Sequence, residues 1–152
     1  MENKADFYRL LTQQAVALCE GEPSLIAKLA NVSALLNSQL EDINWVGFYL
    51  SDGKELVLGP FQGLPACVRI PFEKGVCGAA FSQDKVMRIE DVHAFEGHIA
   101  CDAASNAELV VPVRIDNQLQ AVLDIDSPTV GRFDQEDEQG LTTLVKEMQK
   151  HL

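Results

Sequence analysis

The chain has 152 residues, 47% of them hydrophobic and 23% charged, with a formal net charge of −11. That length and balance fit one ordinary folded domain over residues 1–152 and exclude a disordered chain. The acidity argues against nucleic acid, whose phosphates it would repel, and no apolar run nears the roughly 20 residues that span a bilayer. The opening "MENKADFYRL" has no basic stretch leading into an apolar one, so no secretory leader is expected and the expected location is the cytoplasm.

In chain order, residues 6–19 read as a helix. Residues 24–40 read as a second, with Ser24 as its cap and an apolar stripe at Leu25, Leu29, Val32, Leu36 and Leu40. "NWVGFYLSDGKELVLGPF" reads as a hairpin turned at Ser51-Asp52-Gly53. A short strand over 67–70, a glycine-flanked helix over 76–83 and the strand "VMRI" follow. Two longer strands, 108–115 and 119–126, turn at Asp116-Asn117. The last element is a helix over 134–150, capped by Asp134, with Leu141, Leu144, Val145 and Met148 on one face. Helices at the ends with hairpins between them predict an α+β domain around one mainly antiparallel sheet.

Successive side chains of a strand point to opposite faces. Val46, Phe48 and Leu50 therefore share a face, as do Ala121, Leu123 and Ile125, and these all-apolar faces belong under the terminal helices. The opposite face collects Trp45, Tyr49, Glu108, Asp124 and Asp126, a mixed surface suited to a ligand pocket. Two readings of its carboxyls stand. If the face is covered, the like charges cannot all ionise and at least one carboxyl keeps its proton; if it is open, they are solvated.

Four cysteines are too few for a disulfide scaffold. Cys19, in a helical run, reads as a packed apolar group. Cys77 begins a short helix, where the dipole favours a thiolate and the flanking glycines favour packing. Cys67 precedes a strand, and Cys101 lies in the polar stretch "HAFEGHIACDAASNAE"; neither has a packing role, and a loop thiol is the better nucleophile. His93 and His98 read as scaffolding of that loop or as acid–base groups. As zinc ligands, Cys67, Cys77, Cys101, His93 and His98 are poorly spaced, so no metal is expected.

Three stretches, "GPFQGLPACVRIPFEKGVCGAA", "DVHAFEGHIACDAASNAELVVPV" and "AVLDIDSP", resemble the motifs of the free methionine-(R)-sulfoxide reductases, enzymes with a GAF fold. The resemblance runs from about Asn44 to Phe133, and one departure is visible: Glu96 stands where the family's loop usually has proline. The fold so implied packs the N- and C-terminal helices on one sheet face and leaves a ligand pocket on the other.

The resemblance makes Cys101 the attacking cysteine, Cys67 its resolving partner through a disulfide, and Cys77 an auxiliary thiol. It places Glu108 and Asp126 on the sulfoxide oxygen and Asp124 near the substrate ammonium. Trp45 packs near the sulfoxide methyl group, and Tyr49 joins the substrate-binding wall. No cofactor is implied, and thioredoxin is the implied reductant; a homodimer stays open. The backbone around Ala103, Ala104 and Ser105 is the expected place for the substrate carboxylate. The rival reading from another class is a GAF module that senses a small molecule without chemistry, for which the chain has no output domain.

Overall fold

Asn3 starts the chain's first helix: its side chain accepts a hydrogen bond from the Asp6 N–H, and α1 runs from Lys4 to Cys19. The sequence reading began this helix two residues later because an asparagine cap with no apolar residue beside it leaves little pattern to detect. The computed structural model describes residues 3–98 and 104–152. Ser24 caps α2 (Leu25–Gln39) through the Ala27 N–H, as its position in the sequence predicts. Asp134 and Asp137 cap α4 (Gln135–Met148) reciprocally, each side chain accepting from the other's backbone N–H at 2.9 Å.

Between these helices lie β1 (Trp45–Ser51), β2 (Glu55–Gly63), β3 (Arg69–Pro71), α3 (Gly75–Gln83), β4 (Met87–Ile89), β5 (Ala107–Ile115) and β6 (Gln118–Ser127). The strands form one six-stranded sheet in the order β3-β2-β1-β6-β5-β4, with every pairing antiparallel. Asp116 and Asn117 both take positive φ at the β5–β6 turn, the two-residue geometry that matches the twist of its strands. Pro112 is tolerated inside β5 because β4 pairs only with Glu108, Leu109 and Val110 and ends before reaching it. β3 begins at Arg69, later than the sequence reading placed it, so Cys67 sits in the segment before the strand.

The alternation of β1, β5 and β6 sorts side chains as the sequence predicts. Val46, Phe48, Leu109, Val111, Leu123 and Ile125 pack with Leu11, Leu29, Leu36, Leu141 and Leu144 in the main core. Burying each such side chain contributes roughly 1.5–3 kcal/mol. Cys19, 1% exposed, is part of this core, in keeping with its reading as a packing residue. The opposite face forms a second cluster from Trp45, Tyr49, Val110 and Val122, covered by Val76, Cys77 and Ala80 of α3.

α1 and α4 meet at a close crossing, where Gly140 lies against the Tyr8 ring. Beside it the Asp137 carboxylate, 1% exposed, accepts from the Tyr8 hydroxyl at 2.6 Å, Lys4 Nζ at 2.8 Å and Arg132 Nη1 at 3.3 Å. A buried charge held by that many donors is a fixed joint between the terminal helices. Among the described residues no helix is long and apolar enough to cross a membrane.

Candidate active site

Strand register assembles the site. Across β1, β6 and β5, Trp45 lies opposite Asp126, and Asp126 opposite Glu108, so three side chains form one row on the same face. One step along, Asp124 lies between Gly47 and Val110. Gly47 has no side chain on that face, and Phe61 packs directly against its backbone there. Tyr49 and Val122 form the next row.

α3 lies over these rows. Its Cys77 Sγ donates toward Glu108 Oε2 at 3.8 Å, and single ligand atoms of Cys77, Glu108 and Asp124 all lie within 4.8 Å of one another. Glu108, Asp124 and Asp126 are only 7%, 6% and 8% exposed, so the face is covered and the solvated reading of these acids does not hold.

Burial therefore governs the protons. Loss of water, with the Asp126 charge beside it, pushes Glu108 up to about 8. Burial, then the Glu108 charge, raises Asp124 well above the ordinary aspartate range. The Cys77 thiol is likewise driven well above its usual value, first by burial and then by the Asp124 and Glu108 charges. The helix-dipole reading of Cys77 as a thiolate thus fails: three carboxyls and a dry environment outweigh one helix terminus. At neutral pH the cluster holds neutral acids able to donate hydrogen bonds. Asp124 Oδ1 is buried and has no hydrogen-bond partner among the described residues.

The cavity these groups enclose is small, about 40 Å³, and is also lined by Ala66, Ile70, Lys74, His98 and Ser105. Trp45 is held by stacking on Phe61, ring centroids 5.1 Å apart, and by its indole N–H donating to the Leu64 carbonyl at 3.2 Å. The Tyr49 hydroxyl donates to the Cys67 carbonyl at 2.9 Å, tying the Cys67 segment to the cavity wall. Cys67 is disulfide-bonded, whereas Cys19 and Cys77 are free.

Most of the residues singled out from sequence thus converge: Trp45, Tyr49, Cys77, Glu108, Asp124 and Asp126 line one cavity, with Cys67 attached at its edge. Cys101 and Ala103 lie outside the described residues. The two histidines separate in role. His93 is exposed and engages Asp91 Oδ1 at 2.9 Å, a loop-pinning contact, while His98 reaches the cavity. Burial and the neighbouring His93 lower the His98 pKa and favour its neutral form. Phe61 and Lys74 carried no sequence signal, because one is defined by a ring stack across a hairpin and the other by the placement of α3.

The GAF-domain family model matches residues 29–150. A protein of Escherichia coli strain K12 named free methionine-R-sulfoxide reductase is 59% identical over 150 residues, covering 99% of this chain and 91% of its own. The free methionine-R-sulfoxide reductase of Staphylococcus aureus, solved in complex with substrate, superposes with a TM-score of 0.90 at 54% identity, over 95% of each chain. The corresponding enzyme of Neisseria meningitidis, also solved with its substrate, gives 0.92 at 41% identity, over 99% of this chain and 91% of that one. With its covered acid cluster, cavity-facing thiol and six-stranded sheet, the chain belongs to the GAF-domain family, among the free methionine-R-sulfoxide reductases.

Proposed function

We propose that the chain reduces free L-methionine-(R)-sulfoxide to L-methionine by thiol chemistry, with thioredoxin as the reductant. The observation that carries this is the covered Glu108–Asp124–Asp126 cluster, facing Trp45, in which burial holds Glu108 and Asp124 in their protonated forms, beside a segment whose Cys67 is disulfide-bonded. A sulfoxide is a poor electrophile until its oxygen receives a proton or a strong hydrogen bond, and a carboxyl with a pKa near 8 supplies one at neutral pH.

In this reading Glu108, assisted by Asp126, holds the sulfoxide oxygen, and Trp45 and Tyr49 wall the methyl side. Asp124, with its unsatisfied oxygen, takes the ammonium, whose positive charge favours the ionised aspartate. The Cys101 thiolate attacks sulfur. The S–O bond breaks as the oxygen passes to Cys101 with the donated proton, leaving methionine and a cysteine sulfenic acid. The Cys67 thiol condenses with that sulfenic acid, water leaves, and a Cys67–Cys101 disulfide forms. An external dithiol then takes up the disulfide's oxidising equivalents by exchange, restoring both thiols. The choice of Cys101 as partner follows the family resemblance, and the disulfide-bonded state of Cys67 is consistent with a redox-active residue. Cys77, protonated against Glu108, serves as an auxiliary hydrogen-bond donor to the acid cluster.

A thioredoxin-coupled assay tests the reading. Turnover of the free R epimer, with the S epimer inert, is expected. A folded protein that binds the R epimer without consuming it would leave the sensor reading in its place.

A further inference from the structure

Residues 64–68 carry the cysteine that the family resemblance makes the resolving thiol, and packing does little to hold them. They lie between β2, which ends at Gly63, and β3, which begins at Arg69. The Leu64 and Val68 side chains are 65% and 59% exposed, so apolar burial does not fix the segment at either end. Ala66 and Cys67 rest only partly buried against the second cluster. A loop held this loosely takes its conformation from hydrogen bonds to its backbone.

Those bonds come from β1 and β2. The Trp45 indole N–H donates to the Leu64 carbonyl at 3.2 Å, the Tyr49 hydroxyl to the Cys67 carbonyl at 2.9 Å, and the Leu58 N–H to the Val68 carbonyl at 2.8 Å. Trp45 and Tyr49 share one face of β1, each 2% exposed, with their rings stacked and centroids 5.9 Å apart. The Tyr49 ring is therefore fixed by its surroundings, and its hydroxyl reaches the residue whose sulfur reacts. Burial, followed by the Asp124 charge, raises the phenol above its ordinary value, which keeps the donor proton in place. With the Cys67 backbone held, a single side-chain torsion, χ1, separates it from the position of Sγ.

We propose that Tyr49 is a positioning residue for the resolving step: its hydroxyl fixes the Cys67 backbone so that Sγ stands ready to attack the sulfenic acid on Cys101. In that step the Cys67 thiolate attacks the Cys101 sulfur, the S–S bond forms and the S–O bond breaks. Hydroxide leaves and takes up a proton as water. The ring of Tyr49 serves the substrate wall, and its hydroxyl serves recycling. The proposal rests on reading Cys67 as the resolving thiol.

Tyr49→Phe keeps the ring and removes the hydroxyl. The reduced chain is mixed with L-methionine-(R)-sulfoxide and increasing dimedone, a carbon nucleophile that traps sulfenic acids, and capture at Cys101 is read by peptide mass. The dimedone concentration that captures half of Cys101 is set by competition with Cys67 and not by substrate affinity, so a residue that only binds substrate does not move it. In Tyr49→Phe this concentration is expected to fall roughly five- to tenfold, as loss of one hydrogen bond does. Cys67→Ser should lower it further still. An unchanged half-capture concentration in Tyr49→Phe, with Cys67→Ser lowered, would confine Tyr49 to the substrate wall and overturn the proposal while the reductase reading stands. If Cys67→Ser matches the wild type, Cys67 does not resolve and the proposal falls with that assignment. If the wild type releases no methionine, the reductase reading falls as well.

Discussion

Glu108 carries the most legible conflict between stability and function. Unfolded, it ionises near its ordinary value of 4.5; folded, it holds its proton up to about 8. Between those values the native state binds a proton that the unfolded state has released, so the group makes the protein less stable as pH rises through that window. Glu108→Gln removes the titration while keeping the shape. It should unfold at higher denaturant than wild type, by an amount that grows from pH 5 to pH 8 and reaches on the order of a few kcal/mol. The same substitution removes the transferable proton and should lower kcat by roughly 10²–10⁴-fold. Wild-type turnover should decline as pH rises through about 8, where Glu108 ionises. Denaturant midpoints and a pH–rate profile measure both effects; an unchanged midpoint at pH 8 would mean that this carboxyl is not held neutral. For the thiols, Cys101→Ser should abolish turnover. Cys67→Ser should release about one methionine per chain before recycling fails, as expected of a resolving cysteine; equal multiple turnover in that variant would remove Cys67 from the cycle.

At the scale of elements, the β1–β2 hairpin sets the aromatic wall. A Cβ at Gly47 would meet the Phe61 Cβ at 2.3 Å and its Cα at 2.7 Å, so Gly47→Ala forces Phe61 away from Trp45. The expected cost is about 1–3 kcal/mol, with a change in Trp45 fluorescence and weaker substrate binding. Substitution without any of these effects would show that the Trp45–Phe61 stack does not depend on the glycine. In α4, Asp134→Ala removes one half of the reciprocal cap and should cost about 1 kcal/mol, read by thermal or chemical unfolding, with kcat unaffected because the cap is remote from the cavity.

These elements also show what a sequence can disclose. Ser24 and Asp134 were legible because a cap is local chemistry: one oxygen, one backbone N–H, three residues apart. The two faces of β1 and β6 were legible because period-two alternation is a property of each strand alone. The position of β3 was not, since a three-residue strand is defined by its partner, β2.

Over the whole molecule, the terminal helices and the acid cluster sit on opposite faces of one sheet, which lets a site of buried carboxyls be carried by a well-packed core. The site's acids could be named from the sequence because the alternation of "LDIDS" against "ELVVP" puts them on one side. Whether that side was wet or dry could not, because dryness comes from α3 folding over it. The same closure decides the Cys77 proton and brings Lys74 to the cavity, and no local pattern encodes it. Roles for Cys67 and Cys101 came from resemblance to a family, while the geometry contributes the disulfide state of Cys67.

The most direct test is a single pulse without reductant. The fully reduced chain is mixed with one equivalent of free L-methionine-(R)-sulfoxide, free thiols are alkylated, and methionine is quantified alongside disulfide peptide mapping. About one methionine per chain is expected, with Cys67 joined to Cys101 and with Cys19 and Cys77 alkylated after unfolding. A folded chain that yields no methionine, or one whose new disulfide joins Cys77 while Cys67 stays free, would contradict the proposed chemistry.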